Sequence, residues 1–536
     1  MDDDGLTRAQ LLKAAAAVTP ALVLGGAAAK AAPRRGRAAA RTSLAGMNLL
    51  IILTDQERAI QHFPRGWAAK NLPGLTRIKR HGLSFERAFT NACMCSPARS
   101  TLMTGYFTAQ HGVKHTLESS MPAEKYPQIE LGTSFANLAT VLTAAGYEVV
   151  YKGKFHCNKA AAGNEDWVPD DVHKYGFTRW DPPDAGANQL VSQAGGGTTN
   201  HDGRFMNDSG DAAAGREGAL EYLRSVASRK RPFALVVSLV NPHDVLFYPQ
   251  QYTNAGYDDS WLQGTVKLPP TIKEDLASKP SAQREFLAIS QLLGKLDTPE
   301  KQRNYLNYYA NLMRSSDAYV VRLLNALSKR GLADDTVVIR TADHGEMGLA
   351  HNGMRQKNFT FYEEAIRVPL IYSNPRLWSK PRRSQALVSH VDFVPTIAKL
   401  FKAPAHARRD WQGVDYSGQV LGTGARAPQD HVVFTYDDYQ SGQPFGPYPK
   451  APNRIVSIRE ARYKLAKYYD ATGAEAPQWE MYDLKTDPLE RVNIAAAQHK
   501  RTPEQTRQLA RLRRRLAAVQ RERLQPLATT PQSPLE

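Results

Sequence analysis

Asn48-Leu49-Leu50-Ile51-Ile52-Leu53-Thr54-Asp55-Gln56 is an unbroken apolar run that stops abruptly at a carboxylate and an amide. An apolar run of this length without polar alternation has both faces covered, as in a strand of a parallel sheet with helices on either side. Comparable runs recur at 147–151, 232–240, 336–341 and 368–373. Amphipathic stretches with clear punctuation separate them: 73–81 stops at Gly82, 134–145 is capped by Thr133 and stopped by Gly146, and 299–330 is capped by Thr298 and stopped by Gly331. The alternation predicts an α/β fold, a large mostly parallel sheet flanked by helices. In such sheets ligands sit beyond the carboxyl ends of the strands. The polar residues there, Asp55-Gln56, 152–156, 241–243 and Asp343-His344, are therefore the first functional candidates.

The composition permits an extensive core. Of 536 residues, 42% are hydrophobic and 23% charged, which excludes a wholly disordered chain. Three cysteines, Cys93, Cys95 and Cys157, are too few and too odd in number for a disulfide scaffold or a four-cysteine zinc site. The net charge of +17 is concentrated at the two ends. Residues 30–41 carry five basic groups and no acid, and 500–523 carry nine basic groups against Glu504 and Glu522. No nucleic-acid motif accompanies these runs, so no nucleic-acid partner is expected.

Residues 1–46 read as an export signal and basic linker: Arg8 and Lys13 precede an Ala/Val/Leu stretch from Ala14 to Ala29, followed by an Ala-x-Ala site at Ala29-Lys30-Ala31. The stretch is interrupted by Pro20 and Gly25-Gly26 and is short for a membrane span, so an exported, periplasmic or extracellular protein without a stable membrane span is expected. It resembles a twin-arginine signal in which Ala9 stands in place of the second arginine. A disordered Ala-rich leader is the alternative.

Cys95-Ser96-Pro97-Ala98-Arg99 opens a short predicted helix, with Ser96 as N-cap, Pro97 at the first helical position and Gly105 beyond its end. Free backbone N–H groups at a helix start favour anions. From the residues alone, Cys95 could be a thiolate nucleophile or a small buried hydrophobe.

Cys95-Ser96-Pro97-Ala98-Arg99-Ser100-Thr101-Leu102-Met103-Thr104-Gly105 resembles the Cys-x-Pro-x-Arg signature of the formylglycine-dependent sulfatases, in the alkaline phosphatase superfamily. The resemblance runs from Met47 to about Ala495. It implies that a formylglycine-generating enzyme oxidises Cys95 during maturation to formylglycine, whose hydrate attacks sulfur with one hydroxyl while the other later expels sulfate. Asn48 to Gln56 resembles the first metal-binding segment and Thr341-Ala342-Asp343-His344-Gly345-Glu346 the second. Together they imply a metal set of Asp55, Gln56, Cys95, Asp343 and His344, with Glu346 in support. Gly153-Lys154-Phe155-His156 implies that Lys154 and His156 contact the nucleophile and sulfate. Asn241-Pro242-His243 implies that His243 meets the ester, and 353–369 places Lys357 where the family has a sulfate-binding lysine. Segments 462–465 and 480–490 resemble the smaller C-terminal sheet domain.

The chemistry of these residue types agrees. A sulfate ester leaves water only if cations replace its hydration, and Lys154, Lys357, Arg99 and a metal supply them. An oxygen-rich donor set favours Ca2+, with Mg2+ or Mn2+ as alternatives. Many family members carry Asp where this chain has Gln56, and the Gln-bearing form resembles the choline sulfatase and phosphonate monoester hydrolase branches.

The expected organisation is a catalytic domain over 47–401, a C-terminal α+β subdomain with a smaller antiparallel sheet over 402–498, and a basic helix and tail over 499–536. The expected substrate is a small-molecule or carbohydrate sulfate ester. The alternatives are a phosphonate or phosphate ester hydrolase on the same site, or a catalytically silent sulfated-glycan-binding protein.

Overall fold

The computed structural model describes residues 42–59, 63–119, 128–161, 166–207, 217–228, 230–424, 426–443 and 446–531. The Ala-rich leader and its Ala-x-Ala site lie outside the described residues.

Seven strands form the main sheet: β1 (Asn48–Thr54), β2 (Gly82–Phe89), β3 (Glu148–Gly153), β4 (Phe233–Ser238), β5 (Thr336–Ala342), β6 (Leu370–Ser373) and β7 (Arg382–Ser389). Their order is β3-β4-β1-β5-β6-β2-β7. The four strands β3, β4, β1 and β5 are parallel. β6 runs antiparallel to both its neighbours, and β2 and β7 pair parallel at the far edge. β1 is central, and its apolar run is continuous because alternate side chains enter two separate cores. Leu49, Ile51 and Leu53 belong to one, and Leu50 and Ile52 to the other, where Leu312, Met313 and Val320 of the helix Pro299–Lys329 pack. That helix starts where expected, with Thr298 Oγ1 accepting from Lys301 N at 3.1 Å.

Two expectations about helix starts are corrected. The helix predicted over 134–145 is Leu138–Ala144, because Asn137 Oδ1 accepts from both Ala139 N and Thr140 N and so outcompetes Thr133 as a cap. Ser96 is not an N-cap. The helix Cys95–Thr104 starts at Cys95 itself, after Met94 at φ 74°, and Ser96 Oγ instead accepts from Leu117 N at 3.0 Å. Its end is as expected: Gly105 turns left-handed at φ 78° and donates to Thr101 O.

A second sheet of four antiparallel strands follows: β8 (His431–Tyr436), β9 (Arg454–Glu460), β10 (Tyr463–Tyr469) and β11 (Gln478–Asp483), in the order β11-β10-β9-β8. The helix Pro503–Arg523 begins at a Thr502–Gln505 capping box. It lays Leu509, Leu512, Leu516 and Val519 against Val456, Ile458 and Leu465 of this sheet. Part of its basic charge is answered by the sheet itself, since Arg511 and Arg515 both pair with Glu460. Among the described residues no helix is long and apolar enough to cross a membrane.

Candidate active site

The parallel register places the site. Thr54 pairs with Ala342, so the residues that follow, Asp55 and Asp343, emerge side by side at the carboxyl end of the sheet. Gly153 ends β3 at φ 103°, so close to β4 that a Cβ there would meet Ser238 O at 2.0 Å; only glycine permits Lys154 to leave the strand at this point. The first turn of the helix Cys95–Thr104 enters from the side.

Cys95 Sγ lies 3.3 Å from His344 Nε2 and 3.6 Å from both Asp55 Oδ1 and Lys154 Nζ. Lys154 Nζ is 2.7 Å from Asp55 Oδ2. One turn after Cys95, the Arg99 guanidinium bridges the two carboxylates, with Nη2 3.1 Å from Asp55 and Nε 2.9 Å from Asp343, and its Nη1 donates to Lys154 O and Ser238 Oγ. Cys95, His156, His243 and Lys357 line one cavity. Arg99 is fully buried and does not line it. Its hydrogen bonds and ion pairs go to the scaffold, where it bridges Asp55 and Asp343; Lys154, likewise fully buried, does not line the cavity either.

The electrostatics sort these groups by role. Burial opposes ionisation of Asp55, but the charges of Lys154 and Arg99 outweigh it and hold this carboxyl well below its usual range. Burial and the neighbouring Asp55 push Asp343 up to about 6. Burial first, then the charge of Asp55, pushes the Cys95 thiol up to about 12. Burial, reinforced by the nearby lysines, keeps His156, His243 and His344 well below the ordinary histidine range, as neutral imidazoles.

The donor set fits a divalent metal. One ligand atom from each of Asp55, Cys95, Asp343 and His344 lies within 4.8 Å of the others, all buried. His344 Nδ1 faces Gly345 O at 3.1 Å, which fixes the proton on Nδ1 and leaves the Nε2 lone pair for an ion. Gln56 stands beside them with its Oε1 accepting from Lys357 Nζ at 2.9 Å and its Nε2 donating to Glu346 Oε2. Glu346 also accepts from Tyr305 OH, Gly348 N and Gln356 N, so it is the rigid fixture that turns the Gln56 oxygen inward.

Two groups escaped the sequence reading. Asp184 is fully buried and accepts from Phe155 N and His156 N, both at 2.7 Å, clamping the turn that carries His156 at φ 52°. Leu117 O accepts from His156 Nε2 at 2.7 Å, which leaves Nδ1, buried and without a protein partner, as the free lone pair. Neither contact has a local sequence signal, because both partners arrive from loops distant in the chain. Of the histidines and lysine left without a role, His111 bonds Thr101 Oγ1, His351 pairs with Glu274, and Lys152 pairs with Asp181, all outside the cluster around Cys95.

Residues 47–403 match the family model for Sulfatase. The chain belongs to the sulfatase family. Residues 351–522 match a second model, N-sulphoglucosamine sulphohydrolase, C-terminal, which spans the second sheet and the helix packed on it. A choline-sulfatase of Rhizobium meliloti is 26% identical over 461 residues, covering 84% of this chain and 82% of the relative. In fold, this sulfatase-family chain is similar to a 2-O GAG sulfatase, with a TM-score of 0.67 at 21% identity over 89% of this chain and 92% of the other. It is also similar in fold to the phosphonate monoester hydrolase of Agrobacterium radiobacter, with a TM-score of 0.60 at 21% identity over 88% and 96%.

Proposed function

We propose that the protein is an exported, metal-dependent sulfatase that hydrolyses a sulfate ester to an alcohol and inorganic sulfate through a formylglycine made from Cys95. The observation that carries this reading is the convergence of His344, Asp55 and Lys154 on Cys95 Sγ in the first turn of a helix. Cys95 Sγ marks the position of the oxygen that formylglycine would present.

When bound at Asp55, Asp343 and His344 beside Gln56, a divalent metal supplies positive charge to the nucleophile oxygen and to the ester. Formylglycine would supply a geminal diol, one hydroxyl for attack, its proton passing to solvent under the charge of the bound metal, and one for later release of sulfate. The chain does the rest. Lys154 and Lys357 hold the sulfate group in place while the S–O bond to the alcohol breaks and negative charge builds on the departing oxygen. His156 takes the proton of the second hydroxyl at its free Nδ1 as the aldehyde reforms and sulfate leaves. His243, neutral in the free protein, becomes protonated beside an anionic ester and gives its proton to the departing alcohol oxygen. One water is consumed per turnover, in rehydrating the aldehyde.

The second reading is a phosphonate or phosphate ester hydrolase on the same residues, favoured by the neutral Gln56 and by the similarity in fold to a phosphonate monoester hydrolase. A silent glycan-binding protein is disfavoured by the complete set of groups around Cys95. The experiment is turnover of an aryl sulfate against the matching aryl phosphonate by modified, metal-loaded protein, with and without chelator. The sulfatase reading expects higher kcat/KM on the sulfate and loss of activity with chelator; a preference for phosphonate promotes the second reading.

A further inference from the structure

The lining of the cavity above Cys95 has two unlike parts. One is apolar, with Leu246, Phe286, Ile289 and Leu293, and Phe286 is held rigid by Phe359 at a ring-centroid distance of 5.4 Å. Another part of the lining is polar, with Thr116, Glu118, Asn188, Gln189 and Gln443. Glu118 is 3% exposed and accepts from Gln189 Nε2 at 3.4 Å. Its position is tied to the reaction centre through the neighbouring peptide. Leu117 N donates to Ser96 Oγ, next to Cys95, and Leu117 O accepts from His156, while Ser119 N donates to Asn188 Oδ1 at 2.7 Å. Thr116 is pinned from the second sheet's side by Asp438 Oδ2, which accepts from both its N and its Oγ1.

We propose, resting on the sulfatase reading, that this cavity receives the alcohol part of the ester as an uncharged, hydroxyl-rich ring, a neutral sugar, and that Glu118 is the residue that selects it. A pyranose has one face of C–H groups and a rim of hydroxyls, which matches a lining that combines apolar side chains with amides and a carboxyl. An anionic sugar, bearing a uronate or a second sulfate, needs a cation for each added charge. Among the described lining residues Lys357 is the only lysine or arginine, and the ester sulfate already claims it. A quaternary ammonium alcohol is recognised by several aromatic faces, whereas the described lining holds one aromatic ring, Phe286. Burial pushes the Glu118 carboxyl up to about 8, so in the empty cavity it is protonated at neutral pH and can both donate to and accept from a hydroxyl.

The test compares kcat/KM of the modified, metal-loaded enzyme on glucose 6-sulfate, a sulfated glucuronic acid, choline sulfate and an aryl sulfate. The neutral sugar sulfate is expected to exceed the uronate and the choline ester by about tenfold or more. Glu118→Leu, which keeps the bulk and removes both donor and acceptor, is expected to lower the ratio of sugar sulfate to aryl sulfate turnover by about 10- to 100-fold, the scale of one lost hydrogen bond to a buried group. A uronate or choline ester processed as well as the neutral sugar overturns the proposal. So does a Glu118→Leu variant that loses both activities in proportion, since a merely structural residue leaves the ratio unmoved. Aryl sulfate turnover without the expected order of sugars refutes this inference alone; absence of aryl sulfate turnover refutes the sulfatase reading and takes this inference with it.

Discussion

Gln56 presents its amide oxygen to Lys357 and its amide nitrogen to Glu346, so a buried carboxylate sets the polarity of a neutral group at the metal cluster. Replacing Gln56 by Asp removes the donor that Glu346 holds and adds a negative charge beside Asp55 and Asp343. The metal-free Gln56→Asp protein should be less stable by about 1–3 kcal/mol, because a buried acceptor loses its partner. Its metal affinity should rise, because the cluster gains a charge. Thermal unfolding with and without metal, together with calorimetric titration of the ion, reads both; an unchanged melting temperature in the metal-free state would show that the Glu346 contact is energetically idle.

Lys154→Ala and Lys357→Ala should each lower kcat by about 10²–10³, the usual cost of deleting one group aimed at developing charge. His243→Ala should lose most on esters with basic leaving oxygens and least on activated aryl esters. Equal losses across leaving groups, in a steady-state series, would remove the general-acid role.

His351 gives a pH signature away from the metal cluster. It stacks on Tyr362 and faces Glu274 at 2.8 Å and Glu364 at 3.7 Å, with Lys279 beside Glu274. Burial opposes its charge, but the two glutamates win and push it up to about 9. A histidine raised in the folded state stabilises fully below its unfolded value of about 6.5 and loses that contribution as pH rises through about 9. His351→Gln should therefore destabilise by a few kcal/mol at pH 6 and by little above pH 9.5, in urea unfolding. A difference independent of pH would mean that the pair is not ionic.

Leu512→Ala should cost about 2–5 kcal/mol, since Leu512 is fully buried between the helix Pro503–Arg523 and the second sheet. A shift below about 0.5 kcal/mol would place that helix outside the cooperative unit.

The parallel half of the sheet and the loops at its carboxyl ends were legible because β1 and its neighbours are covered on both faces and therefore apolar throughout. β2 and β7 were not anticipated. β2 carries Glu86-Arg87 in mid-strand, and β7 begins with the exposed Arg382-Arg383 at the edge, so neither reads as an apolar run. β6 was recognised as a strand but not as antiparallel, since direction leaves no mark on an apolar run. At the site, residues with a motif were visible, while Asp184, Leu117 and Glu118 were not, because their roles come from contacts between loops far apart in sequence. The bridging of Asp55 and Asp343 by Arg99 is likewise a fact of three-dimensional packing.

The central claim is that Cys95 is oxidised and acts as the nucleophile, and the mass of the peptide Ala88–Arg99 from a preparation active on an aryl sulfate tests it most directly. The account predicts the aldehyde, in which one oxygen has replaced the thiol and a hydrogen, in a fraction that scales with specific activity. An active preparation in which Cys95 is wholly unmodified would contradict it.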